Sequence, residues 1–243
     1  MSNGGSLSII VPAHNEERLL GGTLAAIHDA ASATGRPYEV IVADDASTDR
    51  TAEIAASHNA RVVRVDRRQI AAARNAGAHA ASGERFIFVD ADTLVNAGVI
   101  REALAALDNG AVGGGAAIQF DQPIPMYARL LLPALMVLFR SARLAAGCFV
   151  FCTRDAFVAV GGFDEAYFGA EEIVISRALR RQGRFAILEG AVVTSGRKLR
   201  TYSAGELLTS LWRIARRGTR GVQRREGLDL WYAKRRDDPR DDA

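Results

Sequence analysis

The sequence predicts an α/β protein with a mostly parallel sheet and helices on both of its faces. Within the first 110 residues, a short β-branched run, a turn-rich link and an Ala/Leu-rich segment at helical spacing follow one another four times. Repeats of strand and then helix are typical of βαβ crossovers. The first, second and fourth runs are almost continuously apolar, which indicates strands buried on both sides. After the glycines at 113–115 the spacing becomes irregular, so we expect a second half with a different surface.

The sequence predicts a different series of secondary-structure elements in each half. In the first half, strands are expected at 7–11, 39–43, 61–65 and 85–89, followed by helices that begin near Asn15, Ser47, Arg68 and Asn96. In the second half, the expected elements are a strand at 116–120, a helical segment over 125–144, a strand at 148–151, a turn at 161–165, a helix over 171–182 and two closing strands in RFAIL and AVVTS. We expect one domain over 1–200, with halves at 1–110 and 111–200, and a tail over 201–243.

Length and composition fit a globular protein with one sizeable core. The chain has 243 residues, 49% of them hydrophobic and 24% charged, with a formal net charge of +3. Its first residues lack a basic region followed by an apolar segment, so a cytoplasmic location is the default expectation. The longest central apolar run, 130–139, would reach about 15 Å as a helix, half the thickness of a bilayer core. Cys148 and Cys152 have no third Cys or nearby His to complete a zinc site, which favours buried free thiols.

The C-terminal tail is basic. Residues 197–236 contain twelve Lys or Arg and three Asp or Glu. Between 207 and 217 leucines and a tryptophan alternate with arginines, which predicts an amphipathic basic helix. Three interpretations stay open: peripheral contact with an anionic membrane surface, binding of a diphosphate, or a solvated basic face. The few scattered aromatic residues and the lack of a recognised motif argue against nucleic-acid binding.

Polar clusters follow the first, second and fourth predicted strands, at the edge where ligands bind in doubly wound sheets. The clusters are PAHNE (12–16), DDASTD (44–49) and DAD (90–92), and the Arg/Asn-rich start of the third helix joins them. Two carboxylates at a strand end repel each other unless a cation neutralises them, and oxygen ligands alone select Mg²⁺ or Mn²⁺. Asp90 and Asp92 therefore predict a metal and diphosphate site, with an N-cap Asp and a solvated neighbour as the alternative.

The first two clusters are candidates for a nucleoside. Carboxylates directly after a buried strand, such as Asp44 and Asp45, can accept hydrogen bonds from a base or from ribose hydroxyls. Asn15 and Glu16 offer similar groups, although either could cap the first helix. Ser47 and Asp49 are expected mainly to stabilise the start of the second helix.

Six segments, taken together, resemble the family 2 glycosyltransferases of the GT-A fold. They are VPAHNE, DDASTD, AAARNAGAHAASGE (71–84), VDAD, GGFDE and EEIVISRALRRQGR (171–184), and their order and spacing carry the resemblance over about residues 6–195. The resemblance implies a nucleotide-binding half followed by an acceptor-binding half. It also implies transfer of a sugar from a UDP- or GDP-sugar to an acceptor hydroxyl or phosphate, with Mg²⁺ or Mn²⁺ as cofactor.

The resemblance also implies roles for individual residues. The residues expected around the base and ribose are Pro12, Ala13, Asn15, Glu16, Asp44 and Asp45. Arg74 is expected near the nucleotide and Gly77 in close packing, while Arg68 and Gln69 replace a Gly and an Asn of the family pattern. Asp90 is expected to face the sugar nucleotide and Asp92 to bind the metal. Arg197 and Lys198, after the last strand, are candidates for closing over the diphosphate.

Glu172 is the expected catalytic base of an inverting transfer, at a position where the family usually carries Asp. The added methylene changes the reach of the carboxylate by about one C–C bond. A helix N-terminus lowers the pKa of a carboxylate, so we expect Glu172 to be ionised. A first-turn charge that only stabilises the helix is the alternative, more so for Glu171.

Other functions compete with this one. A nucleotidyltransferase would be expected to carry a Gly-rich basic loop after the first strand, where residues 12–17 are acidic instead. A retaining GT-A glycosyltransferase and an inactive nucleotide-sugar-binding protein stay open. The acceptor is not predicted, although the apolar stretch 126–139 and the basic tail fit a lipid-linked one as well as they fit ordinary packing.

Overall fold

A computed structural model describes most of the chain. It covers residues 5–121, 123–145, 147–203, 205–207, 209, 222, 223, 225, 228 and 232. The amphipathic helix predicted over 207–217 lies almost entirely outside the described residues.

The described residues include eight strands, which form one sheet, and eight helices, α1 to α8. The strands are β1 Leu7–Ala13, β2 Tyr38–Asp45, β3 Arg61–Val65, β4 Arg85–Val89, β5 Thr93–Leu94, β6 Ala111–Phe120, β7 Phe149–Thr153 and β8 Arg184–Thr194. The helices are α1 Leu20–Ser32, α2 Thr51–Ser57, α3 Ile70–Ala80, α4 Ala97–Asp108, α5 Met126–Ser141, α6 Arg154–Ala159, α7 Glu171–Gln182 and α8 Arg197–Thr201.

The sheet joins a parallel half to a mixed half. Its strand order is β3-β2-β1-β4-β7-β6-β8-β5. The first four strands are parallel to one another, β7 is antiparallel to both β4 and β6, and β6 is parallel to β8. This arrangement confirms the predicted mostly parallel sheet and places the carboxyl ends of β1, β2 and β4 along one edge.

Helices cover both faces of the sheet, as the sequence predicts. One buried cluster joins Ile9 of β1 to α1 and α4, and the other joins Ile10 of β1 to α3, α6 and α7. Every residue of β1 is buried because successive side chains point to opposite, covered faces. A Cβ on Gly77 would lie 2.5 Å from Cγ2 of Ile10, so glycine lets α3 approach the sheet closely.

Pro12 lies within β1 where only one neighbouring strand needs its backbone. The pairing of β1 with β4 ends at Ile10, whereas the pairing with β2 continues to Ala13. Proline has no N–H to donate, so it is tolerated in this one-sided stretch. Beyond Ile10, β1 is no longer paired with β4, and the polar loops follow the ends of these strands.

The second half differs from the prediction in two places. Residues 113–115 lie inside β6, which begins at Ala111 rather than at 116. A Cβ on Gly114 would lie 2.0 Å from the carbonyl oxygen of Ala186 and 2.3 Å from Cζ of Phe151, so these glycines permit close strand contact. The two predicted closing strands form one continuous strand, β8, whose register against β6 shifts between Gly115 and Ala117.

The helix starts also differ from the prediction in the first half. α1 begins at Leu20 and α2 at Thr51, five and four residues after the expected Asn15 and Ser47. The intervening residues form two loops that bond to each other as well as to the starts of their own helices. β5 and α6 were not predicted, since two and six residues carry little periodic signal.

Three further observations concern the thiols, the tail and membrane crossing. Cys148 and Cys152 are buried and free, as predicted, and burial raises the pKa of both thiols. Val222 and Leu228 of the tail are buried, and the Phe168 N–H donates to the carbonyl of Val222 at 2.7 Å. Within the described part of the chain, no helix combines the length and apolar character needed to cross a membrane.

Candidate active site

The loops after β1 and β2 are bonded together at the carboxyl edge of the sheet. The backbone N–H of Asn15 donates to Oγ of Ser47 at 2.9 Å, and Asn15 Oδ1 accepts from the N–H of Thr48 at 2.8 Å. Asn15 has a φ of 53°, a left-handed conformation that asparagine tolerates better than most residues. Asp49 accepts the N–H groups of Glu17 and Thr51, which confirms its expected stabilising role and lowers its pKa against the effect of burial.

The adjacent Asp44 and Asp45 have different surroundings, although the sequence assigned both to the nucleoside. Asp45 accepts three backbone N–H groups, from Arg67 and Arg68 at 2.8 Å and from Gln69 at 2.6 Å. Its carboxylate therefore fixes the turn that enters α3. Asp44 is also buried, and its Oδ1 accepts no hydrogen bond from the described residues. Of the two, Asp44 has an oxygen available for a ligand.

Asp90 is held by a buried arginine. The Arg74 side chain is 1% exposed, and its Nη2 donates at 2.8 Å both to Asp90 Oδ1 and to the carbonyl of Gly147. Its Nη1 donates at 2.8 Å to Oε1 of Glu171 at the start of α7. Burial alone would lower the pKa of this guanidinium, but the Asp90 and Glu171 carboxylates raise it. Arg74 thus holds these two carboxylates in place, and its expected position near the nucleotide stays a prediction.

The GGFDE turn (161–165) packs against Arg74 and bonds to its neighbour Asn75. The Phe163 ring centroid lies 5.1 Å from Cζ of Arg74, a cation–π distance. The Asn75 side chain bonds to both the carbonyl and the N–H of Phe163, at 2.8 and 2.9 Å. This motif therefore fixes α3 against the loop that precedes α7.

Asp92 and Glu16 face a second arginine. β5 pairs with β8 through Thr93 and Thr194, and the Ser195 N–H donates to the Asp92 carbonyl at 3.1 Å. The chain then turns into α8, which brings Nη2 of Arg197 to 3.6 Å from Glu16 Oε2 and 3.7 Å from Asp92 Oδ2. Residues from the first, fourth and last strand ends thus meet in one cluster of charges.

The pKa of Asp92 reflects this crowding. Burial and the negative charges of Glu16 and Asp90 raise the pKa of Asp92 to about 6, although Lys198 and Arg197 oppose the shift. Lys198 therefore lies close enough to act electrostatically on Asp92. Both basic residues predicted from the segment after the last strand are at the carboxylate cluster.

Glu172 lies beside the Arg74 network, but its predicted ionisation is wrong. A Cβ on Gly147 would lie 3.4 Å from Cδ of Glu172, which locates the carboxyl group next to the loop that Arg74 bonds. Burial and the neighbouring Glu171 carboxylate raise the pKa of Glu172 to about 8, and its own backbone N–H and Arg74 only partly offset them. The helix N-terminus was expected to dominate, but desolvation is the larger effect here.

The carboxylates near Arg197 fit a divalent cation that is shared with a ligand. Among the described residues, no group of three or more His, Cys, Asp or Glu side chains has a metal-binding arrangement. Glu16 and Asp92 nevertheless present oxygens to one cation, the Arg197 guanidinium. Hard oxygen donors in small number suit Mg²⁺ or Mn²⁺, which keep several positions for water and phosphate. The donor set fits such an ion only with further ligands from a diphosphate.

Sequence reasoning missed two contributions to this site. Glu171 was expected mainly as a first-turn charge, whereas it is the buried partner of Arg74. Arg197 was expected to contact phosphates, and its ion pairs with Glu16 and Asp92 were not foreseen. An Arg at the centre of an alanine-rich helix was the available signal for the first, because a buried arginine requires carboxylate partners.

The sequence profile of glycosyl transferase family 2 matches residues 8–156, more than half of the chain. The chain belongs to glycosyl transferase family 2. An uncharacterized glycosyltransferase of Mycobacterium tuberculosis (strain H37Rv) is 37% identical over 108 residues, which are 44% of this chain and 46% of that protein. The chain thus aligns with about half the length of this family relative. Family membership confirms the resemblance inferred from the motifs.

Solved structures of glycosyltransferases share the fold. The mannosyltransferase PcManGT from Pyrobaculum calidifontis, in complex with GDP-Man and Mn²⁺, matches with a TM-score of 0.66 and 22% identity, over 88% of this chain and 61% of that one. S. aureus TarS residues 1–349, in complex with UDP-GlcNAc, matches with a TM-score of 0.61 and 17% identity, over 88% of this chain and 67% of that one. These family 2 and GT-A likenesses confirm the predicted fold class.

Proposed function

We propose that this chain transfers a sugar from a UDP- or GDP-sugar to an acceptor hydroxyl or phosphate, with a divalent cation at Asp92 and with inversion at the anomeric carbon. Membership of glycosyl transferase family 2 supports the reaction class. The similar structures solved with GDP-Man and Mn²⁺ or with UDP-GlcNAc support the kind of donor. The retaining reaction and simple nucleotide-sugar binding are the alternatives that the experiments below distinguish.

One observation carries the proposal: a single buried arginine joins the two halves of the fold at the site. Arg74 bonds Asp90 at the end of β4 and Glu171 at the start of α7. It thereby holds Asp90, which is expected to face the sugar nucleotide, in a fixed position relative to α7. Glu172 of α7 is the carboxylate proposed for the acceptor. A catalytic site for group transfer needs both sets held in fixed relative positions.

The nucleoside would bind in the loops after β1 and β2. Asp44 is buried with one oxygen that accepts no hydrogen bond from the described residues, so it is the proposed acceptor for a base or ribose donor. Pro12 and Ala13 end β1 beside it, and Asn15 and Glu16 follow in the loop. Asp45 would act by holding the turn at 67–69 in place.

The diphosphate would bind between Asp92 and the α8 segment. Departure of a nucleoside diphosphate accumulates negative charge, which Arg197 and Lys198 are positioned to stabilise. A bound Mg²⁺ or Mn²⁺ would supply Lewis-acid stabilisation of the same charge. Asp92 and Glu16 are the residues that would hold the ion, together with oxygens of the diphosphate.

Glu172 is the proposed base. Its carboxylate would accept the proton of the acceptor hydroxyl while that oxygen bonds to the anomeric carbon. The bond from this carbon to the diphosphate oxygen would break at the same time, which inverts the configuration of the anomeric carbon. A pKa of about 8 suits a general base at neutral pH, because the efficient range lies near the working pH. When the acceptor is a phosphate, it is already ionised and needs no base.

Thermal shift with UDP, GDP and their sugars, each with and without Mn²⁺, tests the donor and the cation. We expect one nucleotide series to raise the melting temperature, and the metal-dependent part of the shift to disappear in Asp92→Asn. The exposed Asp29→Asn, on the remote end of α1, is the control that should retain it. Shifts that are the same with and without Mn²⁺ in the unaltered protein would contradict the metal site.

Product stereochemistry separates the remaining alternatives. NMR of the transferred sugar should show the anomeric configuration opposite to that of the donor. Retention would contradict the base role of Glu172. Nucleotide binding without transfer or hydrolysis, over a broad panel of acceptors, would favour a binding protein.

A further inference from the structure

Helix α5 carries most of the exposed apolar surface in the described part of the chain. Of the six large hydrophobic side chains that are exposed there, four belong to this helix: Met126 (67%), Leu130 (72%), Leu131 (58%) and Val137 (68%). Single exposed hydrophobic residues are ordinary, but a contiguous group marks an interaction surface.

Three of these four residues form one stripe along α5, and Leu131 lies at its border, about 100° around the axis from Leu130. At about 100° per residue, Met126, Leu130 and Val137 fall within about 40° of one another around the helix axis. The buried Ala128 lies on the opposite side, towards the domain. Sixteen residues give the helix a length of about 24 Å, and the stripe from Met126 to Val137 covers about 17 Å of it.

Basic residues border the stripe, and the segment that contains α5 has no acidic residue. Arg129 and Arg140 lie on one flank, and Arg143 follows the end of the helix; all three are exposed. The sequence from 122 to 153 contains no Asp or Glu. An apolar face with arginines at its border is the pattern of helices that lie in the interface of an anionic membrane.

The N-terminal end of α5 is bonded to the segment that carries Arg197. The Tyr127 hydroxyl donates to the carbonyl of Leu199 in α8 at 2.9 Å. Arg200 of α8 pairs with Asp121, just before α5, at 2.8 Å. The exposed stripe therefore begins beside the segment that reaches the carboxylates of the candidate active site.

We propose that the exposed face of α5, defined by Met126, Leu130, Leu131 and Val137, docks onto an anionic lipid bilayer surface. The helix lies in the plane of the interface with its apolar side chains among the acyl chains and Arg129, Arg140 and Arg143 at the headgroups. Pairing with a second copy fits less well, because it would bring arginines together where the segment supplies no carboxylates. This docking surface does not depend on the proposed function. The idea that a lipid carries the acceptor does rest on the proposed function.

Fluorescence of a labelled cysteine tests the position of the helix. Leu130→Cys, labelled with an environment-sensitive fluorophore, should shift to shorter wavelength with vesicles of phosphatidylcholine and phosphatidylglycerol, and should not shift with phosphatidylcholine alone. Cys148 and Cys152 are buried, so the label reports on the introduced thiol. Val158→Cys is the matched control, since Val158 is 68% exposed on α6 and should not shift.

Co-sedimentation with the same vesicles measures the contribution of the face. Leu130→Gln with Val137→Gln should weaken partitioning by at least about tenfold, and Val158→Gln should leave it unchanged. Unchanged partitioning of the double variant would overturn the proposal, as would an unaltered protein that does not bind vesicles, or a dimer in sedimentation velocity that the double variant converts to a monomer. Nucleotide binding by all variants is measured separately, so a failed docking surface and a failed donor site are distinguishable.

Discussion

The guanidinium of Arg197 lies 3.7 Å from the carboxylate of Asp92 and, through the same Nη2 atom, 3.6 Å from that of Glu16. The Arg197 side chain is only 15% exposed, so this charge is held among the carboxylates rather than in solvent. An internal cation thus neutralises the carboxylate pair that we propose for the metal. The segment that supplies it is also the one proposed to contact the diphosphate.

Arg197 and a divalent cation should compete for this pair. Arg197→Gln removes the internal positive charge, so we expect Mn²⁺ to bind the nucleotide-free protein about threefold to tenfold more tightly, because a partly buried ion pair is worth about 1 kcal/mol. Affinity for the nucleoside diphosphate should fall in the same variant. Titration followed by Mn²⁺ electron paramagnetic resonance measures the first effect. Arg101→Gln, which removes an exposed charge on α4, is the control, and equal Mn²⁺ affinity in all three proteins would contradict the competition.

Arg74→Met should be strongly destabilising. It leaves Asp90 and the buried Glu171 without their cation, and breaking a buried ion pair on one side costs about 3–5 kcal/mol in the free energy of unfolding. Urea denaturation measures the change. Arg67→Met removes an ion pair with Glu165 in which the arginine is 62% exposed, and should cost less than about 1 kcal/mol. Similar costs for the two variants would show that the buried network is not a main source of stability.

Glu172→Gln should abolish transfer and stabilise the protein at alkaline pH. The native pKa of Glu172 is raised to about 8, above its unfolded value near 4.5, so the native state binds the extra proton between these values. Stability therefore falls as pH rises from about 5 to 8, and the loss is complete above the native pKa. The Glu172→Gln variant has no such loss of stability. Its melting temperature should therefore exceed that of the unaltered protein at pH 9 and approach it at pH 5. A difference that grows instead towards pH 5 would contradict the raised pKa.

The reaction should show the same titration. If Glu172 is the base, kcat/KM for a hydroxyl acceptor should rise with pH and level off above about 8, because the carboxylate must be ionised to accept the proton. A pH profile of initial rates measures this. Glu172→Asp should retain part of the activity with a displaced profile, whereas activity that falls between pH 6 and 8 would exclude this base.

Asp45→Asn should lower the stability of the protein, whereas Asp44→Asn should weaken nucleotide binding without loss of stability. Asp45 accepts three backbone N–H groups, so its replacement should cost about 1–3 kcal/mol in the free energy of unfolding. Asp44 has a buried oxygen without a hydrogen bond from the described residues, so its replacement should be neutral or stabilising and should weaken nucleotide binding. Chemical denaturation and calorimetric titration with the preferred nucleotide measure the two properties. Loss of nucleotide affinity only in Asp45→Asn would reverse the assignment.

The first half of the fold could be predicted because its signals are local. Short runs rich in β-branched residues identified β1 to β4, and the 61–65 and 85–89 bounds agree with β3 and β4. The glycines at 113–115 misled the interpretation, since a glycine run reads as a break unless the close contact of Gly114 with Phe151 and Ala186 is known. Helix starts were placed early because residues such as Asn15 and Ser47 have capping chemistry, but their partners lie in each other's loops.

The sequence by itself determined which chemical groups collect at the carboxyl edge of the sheet, since parallel strands must end there together. Only the tertiary structure decided how those groups share their charges: Asp45 with a turn, Asp90 and Glu171 with Arg74, and Asp92 and Glu16 with Arg197. It also decided that burial and the neighbouring Glu171 raise the pKa of Glu172 to about 8. Hydrogen bonding and desolvation depend on neighbours that are distant along the chain, whereas the periodicity that specifies strands and helices is contained in each short segment.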